Sequence, residues 1–359
     1  MGGNHARSFK DIEGAQLVAV ADVNAQTAQK VAQETGAKAF ETAEDLIANG
    51  DVEAIIIATP HFFHPPVAEF AAARGVHVLS EKPIAVTVSS ADAMIAACDK
   101  GGVMLGVMFQ QRLEGVRVHM KRLIESSALG KLHRISMTAP WYRPQAYYDM
   151  GAWRGTWKGE GGGILMNQAP HSLDQFVWLA GRAPQSVQAI ATTRLHTIEV
   201  ENTAHAICDF GDGLTGYFYA STAEVPTAER VEIAGDKGVL VLEGASLRFY
   251  ELEQPISQHL GTATGGFDRP SGAWRDIEYE AKPQNHAEVT REFAKAVRAK
   301  DPSLMVADGR EGLRALEMAN AISLAGFTRQ EVELPLDRQK FDAMLSQLQA
   351  GAAPSELKF

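Results

Sequence analysis

The sequence predicts an α/β protein in two parts: a doubly wound parallel sheet first, then an α+β part built on a large, mostly antiparallel open sheet. Two observations carry this. Up to residue 110, apolar β-like runs alternate with helix-like runs over short connections, the pattern of a parallel sheet with right-handed crossovers. From about residue 130, short β-like runs follow one another across glycine-bearing turns, which is the hairpin signal. The expected division is residues 1–112 and residues 113–359.

In the first part the β-like segments are AQLVAVAD (15–22), VEAIIIATP (52–60), VHVLSEKP (76–83) and VMLGVMFQ (103–110). VEAIIIATP is nearly continuous in apolar residues, as expected of a strand covered on both faces. Helix-like stretches at 25–36 and 64–75 each end on a glycine stop. The second part reads HRISMTAP, SVQAIATTRL, TAHAICDF, LTGYFYAST, RVEIAG, GVLVLEG and SLRFYEL as strands, with turns such as FGDGLTG and AGDKGVL. Helices are expected at 171–181, 285–300 and 307–326, the last two closing the second part. FDRPSGAWRD (267–276) reads as a surface loop. No internal repeat or low-complexity linker stands out.

An apolar fraction of 45% with 22% charged residues suits a globular chain, and 359 residues leave room for about two domains. A net charge of -10 without a basic run argues against non-specific nucleic-acid binding, which needs clustered cations to replace counterions. No stretch reaches the about 18 consecutive apolar residues of a membrane helix, and no signal-peptide pattern is visible. Cys98 and Cys208 each lie in an apolar periodic segment, where free thiols are usually buried. No disulfide and no metal site is expected, and a reducing, cytoplasmic home fits.

The opening MGGNHARSFKD sets Gly2 and Gly3 before a helix-like run. That suits a turn whose unpaired N–H groups hold a cofactor phosphate. Asp22 closes LVAVAD about 20 positions on, where a carboxylate would hold a ribose 2′-hydroxyl and repel a 2′-phosphate. NAD is therefore expected over NADP; the alternative is that Asp22 caps the next helix. Ligands of parallel sheets gather outside the strands' carboxyl ends, so Thr59 and Pro60 are expected beside the cofactor. His64 reads as a helix-start residue. SEKP (80–83) ends the next strand, and Lys82 there could donate to a substrate hydroxyl and favour the alkoxide as hydride leaves. A surface lysine in a turn is the alternative.

In GEGGGILMNQAPHSLDQFVWL (159–179) the glycine triplet lets backbone approach a ligand closely. Asn167 and His171 are spaced to share one face of a helical turn. His171 could serve as general base or acid near neutral pH, or could cap the helix it opens. The preceding YRPQAYYDMGAWRGTWKGE (142–160) offers Tyr147, Tyr148, Trp153, Arg154 and Trp157. Stacking faces and donors together suit a carbohydrate ring, with Trp153 and Arg154 the strongest candidates; aromatic packing between domains is the alternative.

SEKP followed by GGGILMNQAPHSLD beyond the domain junction resembles the Gfo/Idh/MocA oxidoreductases, the glucose–fructose oxidoreductase and inositol dehydrogenase family, over essentially the whole chain. The resemblance implies a Rossmann-like first domain that binds NAD and a second domain that binds substrate. It implies Lys82 and His171 as catalytic residues, His171 removing the hydroxyl proton and Lys82 stabilising the oxyanion. It also implies Asn167 as an orienting residue, Glu81 and Gln110 beside the cofactor, and Arg112 and Tyr148 beside the substrate. The family often has aspartate at the position of Asn167; with an amide there, His171 should be less basic. In family terms Gly2 is the third glycine of the dinucleotide motif. The first strand and two glycines, about a dozen residues, are then expected to be missing, with a start assigned too late.

The resemblance thus implies an NAD-dependent dehydrogenase of a sugar, sugar derivative or cyclitol, assembled as a homodimer or homotetramer through its second-domain sheets. Two alternatives are an enzyme that cleaves glycosides by transient oxidation and elimination, and a non-catalytic nucleotide-binding sensor.

Overall fold

The computed structural model describes residues 1–282 and 285–358. In chain order it runs α1 (Gly2–Ser8), β1 (Ala19–Ala21), α2 (Ala25–Thr35), β2 (Lys38–Phe40), α3 (Ala43–Asn49), β3 (Ala54–Ile57), α4 (His64–Ala72), β4 (His77–Ser80), α5 (Val88–Gly101) and β5 (Leu105–Val107). Next come α6 (Gly115–Glu125), β6 (Leu132–Pro140), α7 (Gln145–Asp149), α8 (Pro170–Ala180), β7 (Ser186–Thr192), β8 (Thr203–Asp209) and β9 (Thr215–Ser221). Then follow β10 (Arg230–Gly235), β11 (Gly238–Glu243), β12 (Ser246–Leu252), α9 (Ile256–Thr262) and β13 (Gly272–Asp276). The chain closes with α10 (His286–Ala299), α11 (Gly309–Thr328), β14 (Val332–Glu333) and α12 (Arg338–Gln349).

Two units result: Met1–Arg112 with Gln284–Leu316, and Leu113–Pro283 with Glu317–Phe359. The segment from 285 to 316, which its place in the sequence assigns to the second part, thus lies in the first unit. Packing explains this. α10 presents Val289, Phe293 and Ala296 as a buried stripe. Phe293 lies against Gly106 of β5, where a Cβ would come within 3.0 Å of its ring.

The first unit is parallel, as expected, but its strands form two sheets, β1–β2 and β3–β4–β5. α4 and α5 are the crossovers from β3 to β4 and from β4 to β5. The strands are shorter than the apolar runs, because a ladder extends only where a neighbour pairs it. β3 has β4 on one side, and among the described residues no strand pairs its other edge. Ala54 is exposed and Ile55 and Ile56 are half-buried, so this run is less covered than its composition predicts. α5 buries Ala91, Met94, Ile95 and Cys98 at helical spacing, starts at Thr87, whose hydroxyl accepts from Ser90 N–H, and stops at left-handed Gly102. Burying each of its larger side chains contributes about 1.5–3 kcal/mol.

The second unit is one nine-stranded sheet in the order β13-β12-β11-β10-β6-β9-β8-β7-β14. Only β6 and β9 run parallel; the other neighbours are antiparallel. Half of the expected loop at 267–276 is in fact β13, whose Trp274 stands opposite Tyr250. The sheet's inner face carries Ile135, Met137, Ala204, Ala206, Cys208, Phe218, Val231 and Ile233, all buried. Phe176 of α8 meets Phe210 and Phe218 there at ring distances of 5.6 and 5.5 Å. On the other face the register lines up Ile190 with His205 and Ile207 with Tyr217; Ile190 is 46% exposed and Ile207 62%. Both cysteines are buried free thiols, which burial pushes up to about 11 for Cys98 and about 12 for Cys208.

Candidate active site

In the first unit the expected cofactor residues gather at strand ends. Gly2 and Gly3 lie inside the first turn of α1 rather than in a turn before it. A Cβ on Gly2 would touch Ala58 at 3.7 Å, so α1 packs against the end of β3. Asp22 follows β1 and is exposed. It does not cap α2: Asn24 does, accepting from Thr27 N–H at 3.1 Å, while Asp22 accepts from Asn24 N–H at 2.8 Å. Thr59 and Pro60 follow β3 and are also exposed.

His64 opens α4, as expected, but its fully buried ring does more. Nε2 stands 2.8 Å from the Thr59 carbonyl oxygen and Nδ1 2.9 Å from that of Pro83. One side chain thus ties the loop bearing Thr59 to the loop bearing Lys82. Burial lowers its pKa despite those two carbonyls.

Glu81 and Lys82 follow β4 directly. Glu81 is buried and meets His5 Nε2 at 2.7 Å with one oxygen, while the other accepts from Lys82 N–H at 3.2 Å. Burial alone would raise the Glu81 carboxyl; the His5 hydrogen bond and charge, with Lys82 and His286, outweigh it and hold it at about 2. Lys82 is therefore carried on a turn that is anchored to α1 by the His5–Glu81 hydrogen bond and to α4 by His64. Gln110 and Arg112 are buried in the turn after β5. Arg112 donates to the Val306 carbonyl at 3.3 Å and to Glu311 at 2.5 Å, which makes it a tie within this unit.

The second unit brings together a polar cluster at the glycine triplet. Asn167 stands in the turn before α8 and His171 is that helix's second residue, so the two do not share one helix as their spacing predicts. His171 is 8% exposed, and α8 has no side-chain cap hydrogen bond, so His171 is not its cap. Asn167 Nδ2 donates to Glu160 and to Tyr147 Oη, the latter at 3.3 Å. Tyr147 Oη also accepts from Arg154 at 2.6 Å and from Gln168 at 3.2 Å. The Arg154 guanidinium lies over the rings of Tyr147 and Trp153 at 4.4 and 4.3 Å, and Trp153 is 40% exposed.

The other aromatics are packing. Tyr148 is buried, its hydroxyl 2.8 Å from Thr222 and its ring edge-on to His196. Trp157 is buried edge-on to Phe327.

The freedom of the glycine triplet serves a neighbour rather than a ligand. A Cβ on Gly163 would stand 1.7 Å from the Glu201 carbonyl oxygen, and Gly161 has φ +78°. Glu201 accepts from Gly163 and Leu165 N–H at 2.9 and 3.2 Å, while its second oxygen is buried without a hydrogen-bond partner among the described residues. Complete burial raises this carboxyl to about 7, against those two hydrogen bonds and with Glu160 adding to the rise. Sequence reasoning missed Glu160 and Glu201. Glu160 could have been suspected from its place directly before the triplet, but nothing local marks Glu201, which reaches the turn from a distant loop. Among the described residues no group of three or more His, Cys, Asp or Glu could hold a metal.

The two units define an oxidoreductase with a dinucleotide-binding Rossmann fold. Residues 1–109 match the model "Oxidoreductase family, NAD-binding Rossmann fold", and residues 118–241 match the GFO/IDH/MocA C-terminal domain. The chain belongs to the Gfo/Idh/MocA oxidoreductase family.

It is 30% identical to the WlbA dehydrogenase of Bordetella pertussis, solved with NADH and UDP-GlcNAcA, covering 93% of this chain and 95% of that one with a TM-score of 0.77. It is 27% identical to the D-apiose dehydrogenase of Paraburkholderia graminis over 92% of this chain and 86% of that protein. A 2,7-anhydro-N-acetylneuraminate hydratase of Mediterraneibacter gnavus is 32% identical over 59% of this chain, and the chain spans only 52% of its length. No helix among the described residues is long and apolar enough to cross a membrane.

Proposed function

We propose that this protein is an NAD-dependent dehydrogenase that moves hydride between a secondary alcohol of a sugar, sugar derivative or cyclitol and nicotinamide. The observation that carries this is Lys82, held at the carboxyl end of β4 in an NAD-binding unit by Glu81, His5 and His64. The bound cofactor supplies the hydride chemistry. Gly2, Gly3, Asp22, Thr59, Pro60, Glu81 and Gln110 would hold it. The exposed Asp22 carboxylate favours a free ribose 2′-hydroxyl, hence NAD over NADP.

His171 takes the hydroxyl proton, Lys82 steadies the oxyanion that forms, and Asn167 orients the sugar. Trp153 and Arg154 supply an apolar face with a cation beside it, a combination suited to carbohydrate. The dehydrogenase relative that binds UDP-GlcNAcA supports a modified sugar as substrate. The hydratase relative supports a second mode, in which the hydride is returned after an elimination. Self-association through the outward face of the nine-stranded sheet would cover Ile190 and Ile207.

The test is a panel of sugars, sugar acids, nucleotide sugars and cyclitols assayed for NADH formation. At least one should be oxidised, and Lys82→Ala should lower its kcat by about 10²–10⁴ while NAD binding persists. Full turnover in that variant would sink the proposal.

A further inference from the structure

Asn167 stands where the family often has aspartate, and its amide donates to Glu160. Glu160 is 1% exposed. One of its oxygens accepts from Asn167 Nδ2, and the other accepts from Gly155 N–H at 2.6 Å. Both Glu160 oxygens thus act as acceptors, and the amide turns its NH2 group toward Glu160 and Tyr147. The amide's acceptor oxygen is then the other branch. We infer that Glu160 is a positioning residue that fixes the Asn167 amide and supplies the negative charge of this site, so that position 167 must be uncharged.

The charges facing this point support the inference. Arg154 stands 3.9 Å from Glu160 and is the cation beside it. On the acidic side are Glu201, which the Glu160 charge pushes up, and Glu199, which accepts from Trp157 N–H. Tyr147 and Tyr148 present phenols, and His171 stands on the adjoining helix. A carboxylate at 167 would lie in contact with Glu160, where two like charges cannot both ionise cheaply. Moving the charge, with glutamine at 160 and aspartate at 167, keeps a donor facing an acceptor and the same net charge.

A role for Asn167 toward substrate rests on the proposed dehydrogenase activity: with its NH2 group committed, the amide would meet a sugar hydroxyl as an acceptor. The pairing itself does not depend on that activity.

A double-mutant cycle of Asn167→Asp and Glu160→Gln, read as thermal unfolding midpoint from about pH 5 to about pH 8, tests the pairing. Asn167→Asp should lower the midpoint by about 5 °C or more at the alkaline end and by less toward the acid end, because protonating either carboxyl relieves the repulsion. Adding Glu160→Gln should recover most of that loss and its pH dependence. Additive effects, with no pH-dependent recovery, would overturn the inference, because a carboxylate that merely braces the Gly155 turn would not couple to 167.

Turnover of the best panel sugar is read in parallel. Coupling without any oxidised sugar would count against the dehydrogenase activity and leave the pairing standing. Absence of coupling would remove the pairing, whatever the activity.

Discussion

At the scale of single residues, the Lys82 turn of the first unit is held by the pair His5–Glu81. Their side chains are 4% and 8% exposed, and breaking a buried pair by removing one partner leaves a charge uncompensated. His5→Ala should therefore cost about 3 kcal/mol at neutral pH by urea unfolding; a loss under about 0.5 kcal/mol would show that the pair does not anchor the Lys82 turn. The sign with pH follows from Glu81. Its carboxyl falls from 4.5 to about 2 on folding, so its contribution is present above 4.5 and is lost as pH falls toward 2. The tetrapeptide SEKP showed where Lys82 would stand, because a strand ending at a proline fixes the preceding residue. That His5 and His64 hold the turn was not legible, since the partners lie 76 and 19 residues away.

At the scale of elements, the turn carrying Asn167 depends on Glu201. Burial raises this carboxyl from 4.5 to about 7. In that interval the folded state keeps a proton that the unfolded chain has lost, so stability falls as pH rises through it. Glu201→Gln keeps an acceptor for the Gly163 and Leu165 N–H groups and cannot ionise. Its unfolding free energy should be flatter than that of the parent between about pH 5 and pH 8. Parallel curves for the two proteins would contradict the assignment.

Elements with a strong period were legible: α2, α10 and the hairpins from β10 to β12 stand within a residue or two of their expected bounds. β2 was not, because its three residues are largely exposed and carry no apolar run. β13 was missed because an edge strand with Trp274 exposed has the composition of a loop. The expected helical face shared by Asn167 and His171 failed because Pro170, well placed in a helix's first turn, starts α8 after Asn167.

For the whole molecule, a two-part organisation was suggested by the change of texture near residue 130, but the return of 285–316 to the first unit was not legible. Helical periodicity shows that Val289, Phe293 and Ala296 face a core; it does not say which core. The proposed self-association belongs to this scale. The outward face of β7, β8 and β9 bears Ile190, Ile207 and Tyr217 around a cavity of about 460 Å³. Ile207→Glu should shift the protein to a smaller species in analytical ultracentrifugation, with unchanged helical circular dichroism. An unaltered mass would place the contact elsewhere.

The proposed activity is direct hydride transfer from a sugar alcohol to nicotinamide. The most direct measurement follows deuterium from the oxidised carbon of the best panel sugar, using mass spectrometry of both products after one turnover with NAD. The label should appear in NADH, with the sugar recovered as a ketone of otherwise intact skeleton. Label returned to a cleaved or rearranged sugar, with no net NADH, would contradict the dehydrogenase and favour transient oxidation with elimination.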